Sequence, residues 1–254
     1  MDKSLFALRK AVTSPRLTLS WIMRGHLAKD KVFVEQTCWY TGMLPRVPLA
    51  KILPGMDEVD VVLPRAFDRN SGTSITVEEA CNLAAIAKGV NAKKALEIGT
   101  YDGNTALVLA ANLTAEGEVV TVDLPPDFGV EKRASLTYSD IQLNLTERDQ
   151  LGRQYRGHRL SPRIRQVYGD SAALDWSTLG GPFDLIFIDG CHSEAYVRED
   201  SRNALEHLAP RGAIVWHDYG AFPAVSAVVD RLAGEIKDMK IFALEGTRLA
   251  VALT

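Results

Sequence analysis

The chain is 254 residues long, 46% hydrophobic and 24% charged, with a formal net charge of −3. Apolar content at this level offsets the entropy of ordering, which excludes disorder as the main state, and the length accommodates one large α/β domain with an extension. The charge leaves no global basic field for a nucleic-acid backbone, and no apolar run approaches the roughly 18 residues of a membrane span.

Residues 1–31 carry Lys3, Arg9, Lys10, Arg16, Arg24, Lys29 and Lys31 against Asp2 and Asp30, with Leu17, Leu19, Trp21 and Ile22 among them. Such a segment reads as an amphipathic helix. Either it touches a membrane surface or, the plainer reading, it is an arm that covers the active site or packs on a second subunit. Its apolar side chains are costly to leave in water, so a homo-oligomer, a dimer first, is expected. Its charges interrupt any signal-peptide core, and Cys38, Cys81 and Cys191 form neither a CxxC pair nor a disulfide framework, so the expected compartment is the cytoplasm. Residues 41–72, with Pro45, Pro48, Pro54 and Pro64, read as an irregular connector. Residues 1–75 are therefore expected to be arm, lid and connector, and 76–254 the main domain.

Regular structure is expected from Thr76. Thr76-Val-Glu-Glu79 is a capping box, and Ala80, Leu83, Ala84 and Ala87 then share one helical face. Short apolar runs alternate with helical patterns from Ala95 onward: Ala95–Ile98, Val119–Val122, Ile164–Val167, Asp184–Ile188 and Ala213–Trp216. Between the last two, Val197, Ser201, Ala204, Leu205 and Leu208 mark one helix face, and Val225, Val228, Val229 and Leu232 mark another after the fifth run. Lys240–Leu244 and Arg248–Leu253, separated by Glu245-Gly-Thr247, read as an antiparallel hairpin. Strands alternating with helices give a doubly wound, mostly parallel sheet, here of seven strands. The interval 124–163 is about 40 residues where a crossover needs roughly a dozen, so it is an insertion with at least one extra helix and a loop near the active face.

The first strand leads into Glu97-Ile-Gly99-Thr100-Tyr-Asp-Gly103-Asn-Thr105, where Gly99 and Gly103 permit a tight turn and close backbone approach at a helix N-terminus. This is G-x-x-x-G and not the dinucleotide fingerprint G-x-G-x-x-G, which argues against a nicotinamide dehydrogenase. Asp123 ends the second strand, where a carboxylate can accept both hydroxyls of a ribose. Asp170 and Ser171 end the third, where a carboxylate and a backbone N–H can read an adenine edge. Each piece alone is ordinary, since a glycine turn is often only a turn and an aspartate only a cap. Their joint occurrence at three successive strand ends points to an adenosyl site.

Glu97-x-Gly99-x-x-x-Gly103-x-Thr105, Asp123, Asp170-Ser171 and the terminal hairpin together resemble the class I S-adenosylmethionine-dependent methyltransferases over Thr76 to Thr254. The resemblance implies S-adenosylmethionine as cofactor and strand order 3-2-1-4-5-7-6. It further implies that Glu97, Gly99, Thr100 and Gly103 border the methionine part, that Asp123 holds the ribose, and that Asp170 with Ser171 holds the adenine.

The fourth strand ends in Asp189-Gly-Cys-His192-Ser193 and the fifth in His217-Asp218. In that topology the two strands are neighbours about 4.8 Å apart, so Asp189 and Asp218 project from adjacent carboxyl ends, where open α/β sheets place their ligands. A divalent cation is the usual reason to keep two such carboxylates ionised, and His192 in the following loop can act as a general base. Taken singly, Asp189 can be a helix cap, Asp218 the partner of an arginine and His192 a plain loop histidine. The pattern resembles the metal-dependent small-molecule O-methyltransferases, which act on sugars, macrolides and catechols. That resemblance implies a hydroxylated small-molecule acceptor, catalytic roles for His192, Asp189 and His217, contact of Asp189 with the cofactor, and Mg2+ or Mn2+ on Asp189, Asp218 and His217. Imidazole is a poor magnesium ligand, so either His217 is not a ligand, or the ion is manganese or softer, or no metal is used.

Arg153, Arg156 and Arg159, with Arg163 and Arg165 beyond, read as an anion clamp or, more plainly, as a solvated face or subunit contact. Tyr138 and Tyr155 are candidate walls of an acceptor pocket, and Cys191 reads as a small packing residue. The competing functions are aminopropyl transfer on the same scaffold, which prefers an acidic polyamine pocket and is opposed by these arginines, and a catalytically silent adenosyl-binding subunit.

Overall fold

A computed structural model describes residues 42–66, 75–125 and 150–254. The basic arm, the segment 126–149 and with it Tyr138 lie outside the described residues.

The strands are β1 (Arg46–Val47), β2 (Lys94–Ile98), β3 (Glu118–Asp123), β4 (Ile164–Tyr168), β5 (Phe183–Ile188), β6 (Leu208–Trp216), β7 (Lys240–Leu244) and β8 (Ala250–Leu253). The helices are α1 (Leu49–Ile52), α2 (Val77–Gly89), α3 (Asn104–Asn112), α4 (Glu194–His207) and α5 (Pro223–Glu235). The sheet is mixed and mostly parallel, in the order β1-β7-β8-β6-β5-β2-β3-β4, with β8 antiparallel to both neighbours.

Side chains alternate along each strand, so the sheet buries two faces. Ala95, Val119, Leu185, Phe187 and Val215 pack with Leu83, Ala84, Leu107 and Leu109 of α2 and α3. Leu96, Ile98, Val120, Val122, Ile186 and Trp216 pack with Val197, Ala204, Val225 and Val229 of α4 and α5. Glu97 and Thr121 therefore belong to the α2/α3 face, where both are fully buried. That placement governs the chemistry described below.

Three expectations need correction. The sheet has eight strands and not seven, because the connector supplies β1 on the β7 edge, pairing Arg46 with Ala243 and Val47 with Leu244. A two-residue strand between Pro45 and Pro48 has no periodicity to betray it. The edge is held instead by Arg46 Nη1 donating to the carbonyls of Leu244 and Thr247, each at 3.0 Å, and by Leu44 N donating to the Tyr219 hydroxyl at 2.7 Å. Leu208 opens β6 and does not end a helix: it pairs with Phe183, and an irregularity then shifts the register so that Ala213 meets Leu185. Finally, the last strand begins at Ala250 and not at Arg248; residues 150–163 of the insertion are successive turns closed by a 3-10 turn at Ser161–Arg163, and the expected helix of the insertion falls outside the described residues. Arg163 donates from Nε to the carbonyl of Gly117 at 2.8 Å and from Nη2 to that of Thr114, and Arg165 donates to Leu179. These two arginines therefore fix loops.

Candidate active site

The cofactor side is assembled at the carboxyl ends of β2, β3 and β4. Gly99, at φ +96°, continues the sheet by donating to Val122 O at 2.9 Å. A Cβ there would lie 2.1 Å from the carbonyl oxygen of Asp189, so only glycine permits the approach of the two loops. Gly103, at φ +81°, opens α3 and faces the ring of Tyr155, which a Cβ would meet at 2.5 Å. The Asp123 carboxylate draws this turn in: Oδ2 accepts from Thr100 N at 2.8 Å and Tyr101 N at 3.1 Å, and Oδ1 from Leu124 N at 2.7 Å. Burial pushes the Asp123 carboxyl up, and these backbone donors only partly pull it back.

Beneath the turn lies a polar row that the sequence did not announce. Strand register puts Glu97 opposite Thr121 and Thr121 opposite Gln166. The Thr121 hydroxyl donates to Glu97, Thr100 and Thr121 share a hydrogen bond of 2.6 Å, Gln166 Nε2 donates to Thr100 Oγ1 at 3.1 Å, and the Tyr155 hydroxyl donates to Gln166 at 2.6 Å. Burial raises the Glu97 carboxyl well above the ordinary range; the Thr121 hydroxyl opposes this, and the nearby Asp189, Asp123 and Asp102 add to it. Tyr155 thus supports the turn from below and does not wall an open pocket. Asp170 and Ser171 are both nearly buried past β4. Asp170 closes a turn by accepting from Ala172 N at 3.2 Å, and the Ser171 carbonyl accepts from Trp176 Nε1 at 2.9 Å.

The acceptor side lies at the ends of β5 and β6, where Ile188 pairs with Trp216. Asp189 N donates to Ile98 O at 2.8 Å, which places its side chain beside the glycine turn. Asp218 takes a left-handed backbone at φ +57°, a conformation that aspartate tolerates better than most residues. Its carboxylate bridges two elements: Oδ2 meets His192 Nε2 at 2.8 Å, and Oδ1 accepts from Arg248 Nη1 at 3.0 Å. His192 also stacks on Phe222, with ring centroids 4.1 Å apart at 19°.

His217 is buried between carboxylates. Nδ1 lies 2.9 Å from Asp189 Oδ1, and Nε2 lies 3.3 Å from Glu79 Oε2. Burial disfavours its cation, but Asp189 and Asp218 outweigh burial and hold His217 well above the ordinary imidazole range. Burial likewise pushes Glu79 and Asp218 up, yet His217 and Arg248 beside Glu79, and His217 and His192 beside Asp218, hold both below the usual carboxylate range. The result is an ionic ring, Asp218–Arg248–Glu79–His217, closed by His217 Nδ1 at 3.5 Å from Asp218 Oδ1, with His192 attached through Asp218 and Asp189 through His217.

The ring alters the reading of the motif. Both ring nitrogens of His217 face carboxylates, a geometry that favours its cation and a bridging place between Asp189 and Glu79. The side chains whose ligand atoms converge, all within 4.8 Å of one another, are Asp189, His192 and Asp218. The two carboxylates fit a divalent cation, with the His192 imidazole beside them. The ring behind them supplies the hydrogen-bonded outer partners that ligating carboxylates need. Glu79 and Arg248 were missed as site residues: one was read as a helix cap, the other as the first residue of a strand. Cys191 is half-buried, with Sγ 3.5 Å from Ser193 Oγ.

Residues 96–219, just under half of the chain, match the family model described as a methyltransferase domain. A catechol O-methyltransferase of Mycobacterium tuberculosis is 26% identical over 144 residues, which cover 56% of this chain and 54% of that protein. The catechol O-methyltransferase domain-containing protein 1 of Mus musculus is 45% identical over 58 residues, 22% of each chain. The matches thus span about half or less of the length of these curated relatives. Among solved structures, the O-methyltransferase TomG of Streptomyces achromogenes, crystallised with S-adenosylmethionine, superposes with a TM-score of 0.54 at 18% identity, covering 84% of this chain and 92% of that one. That likeness establishes a common fold. Among the described residues no helix is long and apolar enough to cross a membrane.

Proposed function

We propose that the chain is a class I S-adenosylmethionine-dependent methyltransferase that transfers the cofactor's methyl group to a hydroxyl of a small molecule, of the catechol or glycoside kind. The observation that carries this reading is the convergence of Asp189, His192 and Asp218 beside a glycine turn that Asp123 clamps. S-adenosylmethionine would supply an electrophilic methyl, and a divalent cation on Asp189 and Asp218 would lower the pKa of the acceptor hydroxyl.

The chain's own residues do the rest. Asp123 receives the ribose hydroxyls, and the first turn of α3 with Gly99 and Gly103 receives the methionine end. Asp170 and Ser171 border the adenine. His192, held by Asp218 and stacked on Phe222, takes the acceptor proton as the oxygen bonds to the methyl carbon and the carbon–sulfur bond breaks. Most of the acceleration comes from holding the two reactants in line.

The test is a screen of catechol, glycoside and polyketide acceptors with methyl-labelled S-adenosylmethionine, with and without chelator, for wild type and His192→Ala. Chelation should abolish transfer and leave cofactor affinity intact. His192→Ala should lower turnover by about 100-fold or more, the scale of a lost general base, with a smaller defect at high pH where the acceptor ionises unaided. Full turnover in excess chelator rejects the cation, and normal turnover of His192→Ala rejects the base.

A further inference from the structure

Glu79 and Arg248 lie on either side of the segment that matches the methyltransferase family model, one before it and one after. Glu79 is 1% exposed and occupies the third position of α2, where a capping box asks it to accept one backbone N–H. It faces five partners: Thr76 N at 2.7 Å, Arg248 N at 2.9 Å, Arg248 Nε and Nη2 at 3.1 Å each, and His217 Nε2 at 3.3 Å. Arg248 spans the gap, gripping Glu79 along one edge of its guanidinium while Nη1 reaches Asp218 Oδ1 at 3.0 Å. Because the guanidinium is planar and rigid, the two carboxylates are fixed relative to each other.

A buried ion-pair network of this kind is weak evidence for stability, since apolar side chains of similar volume often serve a fold as well or better. What it supplies is geometry. Among the described residues, the neighbours of the pair that carry chemistry are His217, which bonds Asp189, and Asp218, which bonds His192. We infer that Glu79 and Arg248 are positioning residues of the transfer site: their ion pair sets His217 and Asp218, and through them Asp189 and His192, in the arrangement that meets the acceptor. What the site does rests on the function proposed above; the arrangement itself does not.

Arg248→Lys keeps the charge, but an ammonium cannot bridge Glu79 and Asp218 in fixed geometry. Its turnover should fall about 10- to 100-fold, the range seen when outer partners of a site are lost. The KM for S-adenosylmethionine and the affinity for S-adenosylhomocysteine should stay within about twofold. Glu79→Gln should give the same split, and the double variant should lose no more than the worse single, because the pair acts as a unit. Wild-type turnover in Arg248→Lys overturns the inference, as does a loss of turnover matched by an equal loss of S-adenosylhomocysteine affinity, which is the mark of a merely structural role.

A second readout needs no activity. In nitrogen-15 spectra of histidine-labelled protein, the ring N–H of His192 that bonds Asp218, identified by its absence from His192→Asn, should shift or vanish in Arg248→Lys. An unchanged signal overturns the inference whether or not any acceptor is methylated. Should wild type methylate nothing while this signal moves, the proposed function fails and the positioning role stands.

Discussion

Two halves of one sheet edge bury acids and treat them in opposite ways. At the ends of β2 and β3, Glu97 and Asp123 have hydroxyls and backbone N–H groups for partners but, among the described residues, no cation, and burial drives both carboxyls upward. At the ends of β5 and β6, Asp218 is also buried, as is Glu79 on α2, yet His217 and Arg248 hold both downward. Burial alone therefore does not set the charge of an acid in this molecule; the presence of a cation does. On the function proposed above, the cationic sulfonium and ammonium groups absent from the first half are the ones S-adenosylmethionine brings. The second half has its cations built in.

The largest effect that tests this contrast is a tilt of stability with pH. Glu79 and Asp218 have folded pKa values below their unfolded ones, so their contribution is present above about pH 4 and is lost as pH falls toward the folded values. Glu97, Asp123 and Asp200 are raised, so the folded state binds protons more tightly and stability declines as pH rises from about 4 toward their folded values. Asp200, fully buried on α4, has its pKa raised to about 7 chiefly by burial, which the Ser171 hydroxyl opposes. Asp200→Asn removes that ionisation. In urea unfolding its advantage over wild type should grow between pH 4 and pH 8 by roughly 4 kcal/mol, from 1.4 kcal/mol per pH unit across the window. An offset that is the same at both ends of the range would show that Asp200 does not titrate, and the rule that a buried acid without a cation is raised would lose its clearest example.

The second effect separates the halves by ligand. Asp123→Ala should weaken binding of S-adenosylhomocysteine at least tenfold in calorimetry. It removes an acceptor of charge-assisted hydrogen bonds, each worth about 1.5–3 kcal/mol, and it releases the turn that Thr100 N and Tyr101 N tie to it. Affinity that matches wild type would detach the adenosyl site from β3.

The same contrast explains what could be read from the sequence. The cofactor half is contiguous: Glu97 to Thr105 is one strand, turn and helix start, and Asp123 closes the next strand, so periodicity and glycine spacing reveal it. Seven of the strands were legible for the same reason, five as apolar runs alternating with helical patterns and two as the arms of a hairpin. The ring is assembled from afar. Glu79 lies 138 residues from His217 and 169 from Arg248, and no local pattern marks either partner. His217-Asp218 was visible as a pair, but that His217 also meets Glu79 was not, because that partner comes from the far end of the domain. β1 was hidden for a related reason: two residues between prolines acquire strand geometry only from the β7 edge they join.

The smallest effect asks whether the helix cap and the ion pair at Glu79 are one device or two. Thr76 Oγ1 accepts from Glu79 N at 3.1 Å, and Glu79 Oε2 accepts from Thr76 N at 2.7 Å. Thr76→Ala removes the first bond and leaves the second, because the second uses the backbone. Loss of such a cap costs about 1 kcal/mol, and thermal unfolding should register it. The Glu79 side chain keeps every one of its other partners, and its grip on Arg248 comes through three donors that the substitution does not touch. Turnover should therefore remain within about twofold of wild type, since a destabilisation of about 1 kcal/mol leaves a folded domain almost fully populated. If Thr76→Ala instead lost activity as Arg248→Lys is expected to, the orientation of the Glu79 carboxylate would depend on the helix start. The site would then be set by α2 and not by the guanidinium that joins it to Asp218.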